Sequence, residues 1–281
     1  MASQILTSQE ISYLFVDAGC LRATLKDISD RYVAGQPLSL DYEGFTRAYS
    51  KVFYYDALPA VKDDESREQY EARIAPQLSL LEDLRSRDRF HVYEGDVRRA
   101  KSRRDRPEQK KVDVMIAVDM LTHSFKRNMH RAILLTSDLD FTPLVNALVH
   151  EGMFVTLWYP PKDTHADLIA AADGKIPLRI DSVYDYLASD SKRLFSVPQS
   201  VTEPARGDFA PVRAEWLETN GSRVRICEEY GGRFTAELRA GDASLATYAT
   251  HTDRGILELF IEDTWQVKAP VPDDVIAAVL G

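Results

Sequence analysis

The amino-acid sequence predicts an α/β fold with a mostly parallel central sheet, followed by a small, mostly β C-terminal domain. Three observations support this fold class. Short apolar runs alternate with helical patterns between residues 11 and 180, the order expected of a parallel sheet covered by helices. Carboxylates follow directly after two of the apolar runs, and open α/β sheets bind ligands at that edge. After about residue 190, prolines, serines and short alternating segments replace this pattern.

The first predicted strand covers residues 11–16 and ends in the stretch Asp17-Ala18-Gly19-Cys20-Leu21. A carboxylate after an apolar run, followed by a glycine that permits a tight turn, is typical of a strand end. An ordinary turn and a functional site both fit this stretch.

Four elements are predicted between residues 41 and 93. They are a helix over 41–50, a strand over 51–56, a helix over 66–87 and a strand over 90–93. Tyr54 and Tyr55 could stack on bases, but core packing is the favoured interpretation. His91 has no second histidine or cysteine at ligand spacing, which indicates a packing or surface role.

Residues 98–111 carry eight basic side chains and only two acidic ones, Asp105 and Glu108. The formal net charge of the chain is −9, so this segment opposes the sign of the whole molecule. A solvated loop would explain a charge run, but the reversed sign favours contact with a polyanion such as a phosphate backbone. This basic segment consists of Arg98, Arg99, Lys101, Arg103, Arg104, Arg106, Lys110 and Lys111.

A helix is predicted from Lys111 onward, with apolar residues at helical spacing. Asp113 lies in its first turn, where a carboxylate also suits the helix dipole. Asp119 follows six residues later, about 240° around a helix of ~3.6 residues per turn. The two carboxylates therefore do not share a face, and Asp113 is the favoured site residue.

The central stretch of the sequence begins at Arg131-Ala132-Ile133-Leu134-Leu135, a short apolar run typical of a buried strand. A helical pattern begins at Phe141. Between the two stand four polar residues: Thr136, Ser137, Asp138 and Asp140. Helix capping needs only one such residue, so capping and a functional site both remain open for this stretch.

The remaining elements complete the predicted organisation. The first domain is expected to span residues 1–190, the linker 191–211 and the β-rich domain 212–281. Predicted elements of the first domain are a strand over 153–159, a helix over 165–172 and a terminal strand over 177–180. Those of the C-terminal domain are strands over 223–227, 233–238 and 256–261 and a closing helix over 272–280.

Composition limits the class of protein. Hydrophobic content of 44% and charged content of 28% are ordinary for a globular chain. Cys20 and Cys227 lie too far apart in sequence to suggest a disulfide framework or a zinc site, which favours a reducing cytoplasm. The sequence also lacks an evident signal peptide and any apolar run of the ~18 residues that suggest a spanning helix. We therefore expect a cytoplasmic protein without membrane association.

The carboxylates predict a metal centre. Asp17, Asp113, Asp138 and Asp140 are expected to converge at one end of the parallel sheet, where unpaired carboxylates repel one another. A divalent cation resolves this repulsion, and hard oxygen ligands suit Mg²⁺ or Mn²⁺. No glycine-rich phosphate loop is present, which argues against nucleotide hydrolysis by that route.

Three segments of the sequence together resemble the NYN family, a branch of the PIN-like nucleases. They begin at Leu14-Phe15-Val16-Asp17, Lys111-Val112-Asp113-Val114 and Thr136-Ser137-Asp138-Leu139-Asp140-Phe141, and the resemblance covers roughly residues 10–190. It implies an α/β sandwich, a carboxylate pocket for Mg²⁺ or Mn²⁺, and cleavage of RNA.

Motif matching to the NYN family assigns roles to individual residues. It places Asp17, Asp113 and Asp138 at the core of the pocket, with Asp140 supporting the metal or its waters. Asp119, Ser137 and Cys20 are second-tier candidates. The family commonly has asparagine where this chain has Cys20, and a thiol is a poor ligand for Mg²⁺.

Three functions follow as alternatives. The first is a ribonuclease, favoured as an endonuclease, in which the basic segment holds the RNA backbone. The second is a DNA nuclease that uses the same pocket, and the third is a nuclease-like module that binds nucleic acid or a partner without turnover. The C-terminal domain is expected to mediate self-association or contact with a protein partner.

Overall fold

The computed structural model describes most of the chain as two compact units. The first comprises residues up to Leu25 together with Asp41–Leu178, and the second comprises Lys26–Leu40 together with the residues from Arg179 onward. Side chains of residues 107–110 lie outside the description. The described residues are 10–62, 64–95, 107–207, 210–241 and 243–268.

A six-stranded sheet forms the centre of the first unit, and every neighbouring pair of its strands is parallel. This confirms the predicted mostly parallel sheet. Its strands are β1 (Ser12–Asp17), β2 (Lys51–Ala57), β3 (Phe90–Gly95), β4 (Arg131–Leu135), β5 (Phe154–Tyr159) and β6 (Gly174–Pro177).

Helices connect these strands, as parallel pairing requires. A short 3-10 turn, Leu139–Phe141, precedes the fifth helix. The helices that lie in the first unit or begin there are α1 (Ala18–Tyr32), α2 (Tyr42–Thr46), α3 (Arg67–Ser86), α4 (Pro107–Phe125), α5 (Thr142–His150) and α6 (Ala166–Ala171).

Burial explains why these apolar runs are strands. The central residues of β1 and β4 are almost completely inaccessible, as expected of strands covered on both faces. Phe15 of β1 stacks on Phe53 of β2, with their ring centroids 4.9 Å apart. Tyr54 and Tyr55 are also fully buried, which confirms that they are core residues and not a stacking surface for bases.

The strand order, β3-β2-β1-β4-β5-β6, reverses direction between β1 and β4. Strands β2 and β3 lie on one side of β1, and strands β4, β5 and β6 lie on the other side. In open α/β sheets, ligands bind in the crevice that this reversal creates at the carboxyl ends of the two strands. Asp17 is the last residue of β1, and Asp138 follows β4 by three residues.

The second unit contains an antiparallel five-stranded sheet of order β7-β11-β10-β9-β8, which confirms the predicted β-rich C-terminal part. Strand β7 lies within the residues predicted as a linker, and the predicted boundaries at 190 and 211 stay a prediction. The strands are β7 (Val201–Pro204), β8 (Val212–Leu217), β9 (Ser222–Glu229), β10 (Arg233–Ala240) and β11 (Leu245–His251). The helices are α7 (Ile180–Tyr184), α8 (Ser189–Lys192) and α9 (Arg254–Trp265).

The strand predicted over residues 256–261 is wrong, because these residues form the middle of α9. Asp253 caps this helix by accepting a hydrogen bond from the backbone N–H of Ile256. Leu257, Phe260 and Ile261 recur at helical spacing and are buried. Six consecutive residues of mostly apolar character fit a strand or a buried helix equally well, and the cap decides between them.

The terminal strand predicted over 177–180 is also misplaced. Strand β6 ends at Pro177, and α7 begins at Ile180, because the hydroxyl of Ser182 accepts from the backbone N–H of Arg179 and so caps that helix. The closing helix predicted over 272–280 lies outside the described residues.

Candidate active site

Asp17 is held in a fixed orientation at the end of β1. Its Oδ1 atom accepts hydrogen bonds from the backbone N–H groups of Gly19 (2.9 Å) and Cys20 (3.2 Å), which open α1. Its Oδ2 atom accepts from the hydroxyl of Thr136 at 3.0 Å. A side chain at Gly19 would bring a Cβ atom to 3.1 Å from Oδ1, so glycine permits this close approach.

Asp138 begins the turn that follows β4. Its carboxylate caps the 3-10 turn by accepting from the backbone N–H of Asp140 at 2.9 Å. Its own N–H donates to the hydroxyl of Thr136 at 3.2 Å. The buried Thr136 hydroxyl therefore links the end of β1 to the turn after β4. The capping interpretation and the site interpretation of this stretch are compatible, since Asp138 caps the turn with one of its two oxygens.

Asp113 reaches the same edge from α4. It is half-buried, and burial together with the charges of Asp138, Asp17 and Asp140 raises its pKa to about 6. Burial and nearby carboxylates both disfavour the charged form of a carboxyl group. Asp113 on α4 therefore lies within range of the charges of three acids, one at the end of β1 and two in the turn after β4.

Burial also raises the pKa of Asp17. The hydrogen bonds that its carboxylate accepts and the positive charge of Arg22 oppose this rise. The pocket therefore carries concentrated negative charge that protein donors balance only in part.

Comparison with known proteins supplies the family. The family model of the NYN domain matches residues 15–180, more than half of the chain. The chain belongs to the NYN family. The NYN domain has the PIN-like nuclease fold, which agrees with the parallel sheet flanked by helices.

Other comparisons add little to this assignment. No curated protein matches the chain. Among solved structures, the chain is similar to a protein of unknown function from Vibrio parahaemolyticus, with 19% identity and a TM-score of 0.39. That match covers 67% of this chain and 100% of the other.

Asp119 has a contact of its own, with a core residue of β2. It accepts a 2.7 Å hydrogen bond from the hydroxyl of Tyr55. Burial, this hydrogen bond and the charge of Asp119 all raise the pKa of the Tyr55 hydroxyl. The ring of Tyr55 stacks on that of Tyr93, with centroids 5.0 Å apart. His91 stacks on Phe53, and burial lowers its pKa, in keeping with a packing role.

Cys20 and Ser137 lie beside Asp17. The thiol of Cys20 is buried, and burial followed by the charge of Asp17 raises its pKa to about 12. Hydrogen bonding with Ser137 opposes this rise. Burial and the charge of Asp17 both favour the protonated thiol over the thiolate, which is the form that acts as a nucleophile or a metal ligand.

Most of the basic segment falls outside the described residues. Lys111 is exposed at the start of α4, and the side chain of Lys110 is not described. The other members, also not described, are Arg98, Arg99, Lys101, Arg103, Arg104 and Arg106.

The donor set of the pocket fits a hard divalent cation. It offers carboxylate and hydroxyl oxygens, and a cation would offset the mutual repulsion that raises the pKa of Asp113. Among the described residues, no three histidine, cysteine or acidic side chains form a ready-made cluster for a metal ion. Mg²⁺ usually keeps several waters, so carboxylates can hold it through these waters as well as directly, and a tight cluster of three side chains is not required. Among the residues that the structure describes, no helix is long and apolar enough to span a membrane.

Sequence reasoning did not single out three residues next to the pocket: Arg22 of α1, Asp56 of β2 and Gln77 of α3. The sequence around Asp56 has the same pattern as the sequence around Asp17, a carboxylate at the end of an apolar strand. Arg22 and Gln77 gave no local signal, because their contacts with Asp56 join residues far apart in the chain.

Proposed function

We propose that this NYN domain is a metal-dependent ribonuclease that acts as an endonuclease on RNA phosphodiester bonds. The observation that carries the proposal is that the hydroxyl of Thr136 joins Asp17 to the start of the Asp138 turn where the strand order reverses. The charges of these acids and of Asp140, after burial, raise the pKa of Asp113 on α4. Groups perturbed in this way cluster at functional sites. Family membership supplies the nuclease fold, and the acidic pocket supplies the reason to expect metal-dependent hydrolysis.

Roles follow from the placement of each side chain. Asp17, Asp113 and Asp138 would hold Mg²⁺ or Mn²⁺, and Asp140, exposed on the turn, would accept hydrogen bonds from waters around the ion. Such an ion, when bound, lowers the pKa of water and stabilises negative charge on a phosphate. Thr136 keeps Asp17 and the start of the turn in register through its two hydrogen bonds.

RNA is the proposed substrate, and the basic segment is proposed to hold its backbone. This segment opposes the −9 charge of the chain, as expected of a surface that binds phosphates. The second unit, with its antiparallel sheet, is proposed to mediate self-association or contact with a protein partner. A cytoplasmic location is proposed from the cysteine usage alone.

The test is cleavage of a labelled single-stranded RNA and its DNA counterpart in Mn²⁺, in Mg²⁺ and in EDTA. We expect metal-dependent cleavage of RNA by the parent and none by Asp138→Ala. Asp83→Ala is the matched control, since Asp83 is an exposed carboxylate near the end of α3. Preferential cleavage of DNA would indicate a DNA nuclease instead. Cleavage by Asp138→Ala at the parental rate would contradict the assignment of Asp138 to the site.

One observation favours a second candidate, a module that binds nucleic acid without turnover. Cys20 places a buried, protonated thiol beside Asp17, where relatives commonly have an amide. An amide donates hydrogen bonds to substrate or metal-bound water, and a thiol does so weakly. Tight RNA binding without cleavage in any metal would support this candidate.

A further inference from the structure

A buried carboxylate, Asp56, lies at the end of β2, next to the strand that ends in Asp17. In the register of the sheet, Asp17 pairs with Tyr55, the residue before Asp56. Because successive side chains of a strand point to opposite faces, Asp17 and Asp56 point to opposite faces of the sheet at the same edge. The side chain of Asp56 is completely inaccessible to solvent, so its charge needs partners within the protein.

Two side chains satisfy Asp56, one at each oxygen. Arg22 Nη1 donates to Oδ1 at 2.5 Å, and Gln77 Nε2 donates to Oδ2 at 2.7 Å. Gln77 also donates to the backbone carbonyl of Ala57 at 3.1 Å, which fixes its amide. Each oxygen of Asp56 therefore accepts from a different side chain, and Arg22 contacts Asp56 through one nitrogen.

This arrangement anchors the guanidinium of Arg22 by one nitrogen, while the side chain as a whole remains partly accessible. The side chain of Arg22 is 44% exposed, although its partner is 0% exposed. Arginine has five N–H donors in a planar fork that matches phosphate oxygens. Arg22 lies in the second turn of α1, which begins directly after Asp17, and its bond to Asp56 places the guanidinium at the end of the strand next to β1.

Stabilisation of the fold alone is a weak explanation for the ion pair between Arg22 and Asp56. Buried pairs stabilise a fold little more than apolar residues of similar volume, because both charges lose their hydration. An acidic pocket, in contrast, repels the phosphates of its own substrate, and a fixed cation at its rim offsets that repulsion.

We propose that Arg22 binds a backbone phosphate of the nucleic acid at the carboxyl edge of the sheet, one strand away from Asp17, and that Asp56 and Gln77 position its guanidinium for this contact. The inference rests on the proposed nuclease function and adds a substrate-binding residue on α1, separate from the basic segment. Arg22 touches the substrate in this proposal, whereas Asp56 and Gln77 act through Arg22.

The test measures binding of a labelled single-stranded RNA in EDTA over a range of salt concentrations, together with KM and kcat in Mn²⁺. Arg22→Lys keeps the charge but loses the planar fork, so we expect about ten-fold weaker binding and a raised KM with little change in kcat. The double variant Arg22→Leu/Asp56→Leu removes the pair without burying a lone charge. It should bind at least as weakly and lower the salt slope by ~0.7, the value for one lost phosphate contact on a single strand.

Lys26→Gln is the matched control, because Lys26 lies one turn further along α1 and pairs with the exposed Asp30. It should bind RNA as the parent does. Near-UV circular dichroism checks that each variant is folded, and if the double variant is not folded, Arg22→Lys decides. Parental affinity and salt slope in the folded variants overturn the inference while leaving the nuclease proposal intact. A parent that neither binds nor cleaves RNA overturns both.

Discussion

The hydroxyl of Thr136 donates a 3.0 Å hydrogen bond to Oδ2 of Asp17, across the point where the strand order of the sheet reverses. The same hydroxyl accepts from the backbone N–H of Asp138 at 3.2 Å. One buried side chain thus sets the separation between two proposed metal ligands that lie more than a hundred residues apart in the chain. It also lowers the pKa of Asp17 against the effect of burial.

Thr136→Val keeps the shape of the side chain and removes both hydrogen bonds. We expect a loss of about 1–3 kcal/mol in the free energy of unfolding, because the partly buried N–H of Asp138 and the carboxylate of Asp17 each lose a partner. The pKa of Asp17 should rise, which moves the acid limb of the pH–activity profile to higher pH. Thr136→Ser, which retains the hydroxyl, is the control. An unchanged pH profile in the valine variant would contradict a link between Thr136 and Asp17.

The charge of Asp113 is expected to destabilise the fold at neutral pH. Its pKa is about 6 in the folded protein, against an ordinary value of 3.8. Below pH 3.8 the group is protonated in both states. Between pH 3.8 and about 6 the unfolded chain releases its proton first, so stability falls as pH rises, and above about 6 the penalty is constant.

Asp113→Asn removes this penalty while keeping the shape of the side chain. At pH 7.5 we expect a gain of about 1 kcal/mol, a figure reduced for the screening of a half-exposed group, and hence a Tm higher by ~2–4 °C. The gain should disappear near pH 4. Thermal unfolding of the two proteins across this pH range measures it, and a variant less stable than the parent at pH 7.5 would contradict the clustering of the four acids.

Elements that depend on local patterns could be predicted from the sequence. The apolar runs ending in Asp17 and Asp138 belong to neighbouring parallel strands, so their carboxyl ends meet at one edge. The helix containing Asp113 and Asp119 was also recognisable, and helical geometry separated the two acids. The strand predicted over 256–261 failed because six mostly apolar residues have no distinctive period, and the capping role of Asp253 went unnoticed.

Contacts between distant residues could not be predicted in the same way. A threonine after a strand resembles a helix cap, and nothing local indicates that the hydroxyl of Thr136 bonds to a residue 119 positions away. The same holds for Arg22, Gln77 and Asp56, whose contacts depend on how α1 and α3 pack on β2. The sequence therefore identified Asp17, Asp138 and Thr136 as site candidates, but not the contacts that hold them in place.

Asp119 and Asp113 should respond differently to the same substitution. Asp119 bonds to the buried Tyr55, so Asp119→Asn should retain cleavage, because an amide oxygen can still accept from the hydroxyl. If Asp113 holds the metal, Asp113→Asn should reduce cleavage by at least a hundred-fold. Loss of a residue that only supports a metal ligand typically costs ~10–100-fold in activity, and loss of the ligand itself costs more. Equal activities in a metal-dependent RNA cleavage assay would contradict this division of roles.

Cys20→Asn introduces the amide that is common in the NYN family. We expect cleavage to be retained or increased, because the protonated thiol contributes neither a charge nor a strong hydrogen bond to the pocket. Cys20→Ser is the control for a small polar group without the amide, and Cys227→Ser tests the other buried cysteine. A large loss of activity in Cys20→Asn, with the fold intact by circular dichroism, would show that the thiol has a role of its own.

Charge reversal in the basic segment tests whether it contacts nucleic acid. Arg103→Glu/Arg104→Glu should weaken RNA binding and reduce its dependence on salt, because fewer counterions are released when fewer phosphates are neutralised. Two lost contacts on a single strand correspond to a salt slope lower by ~1.4. Arg67→Glu/Lys26→Glu applies the same change in net charge at two exposed helix positions. If both double variants weaken binding equally, the effect is one of overall charge, and the basic segment is a solvated loop.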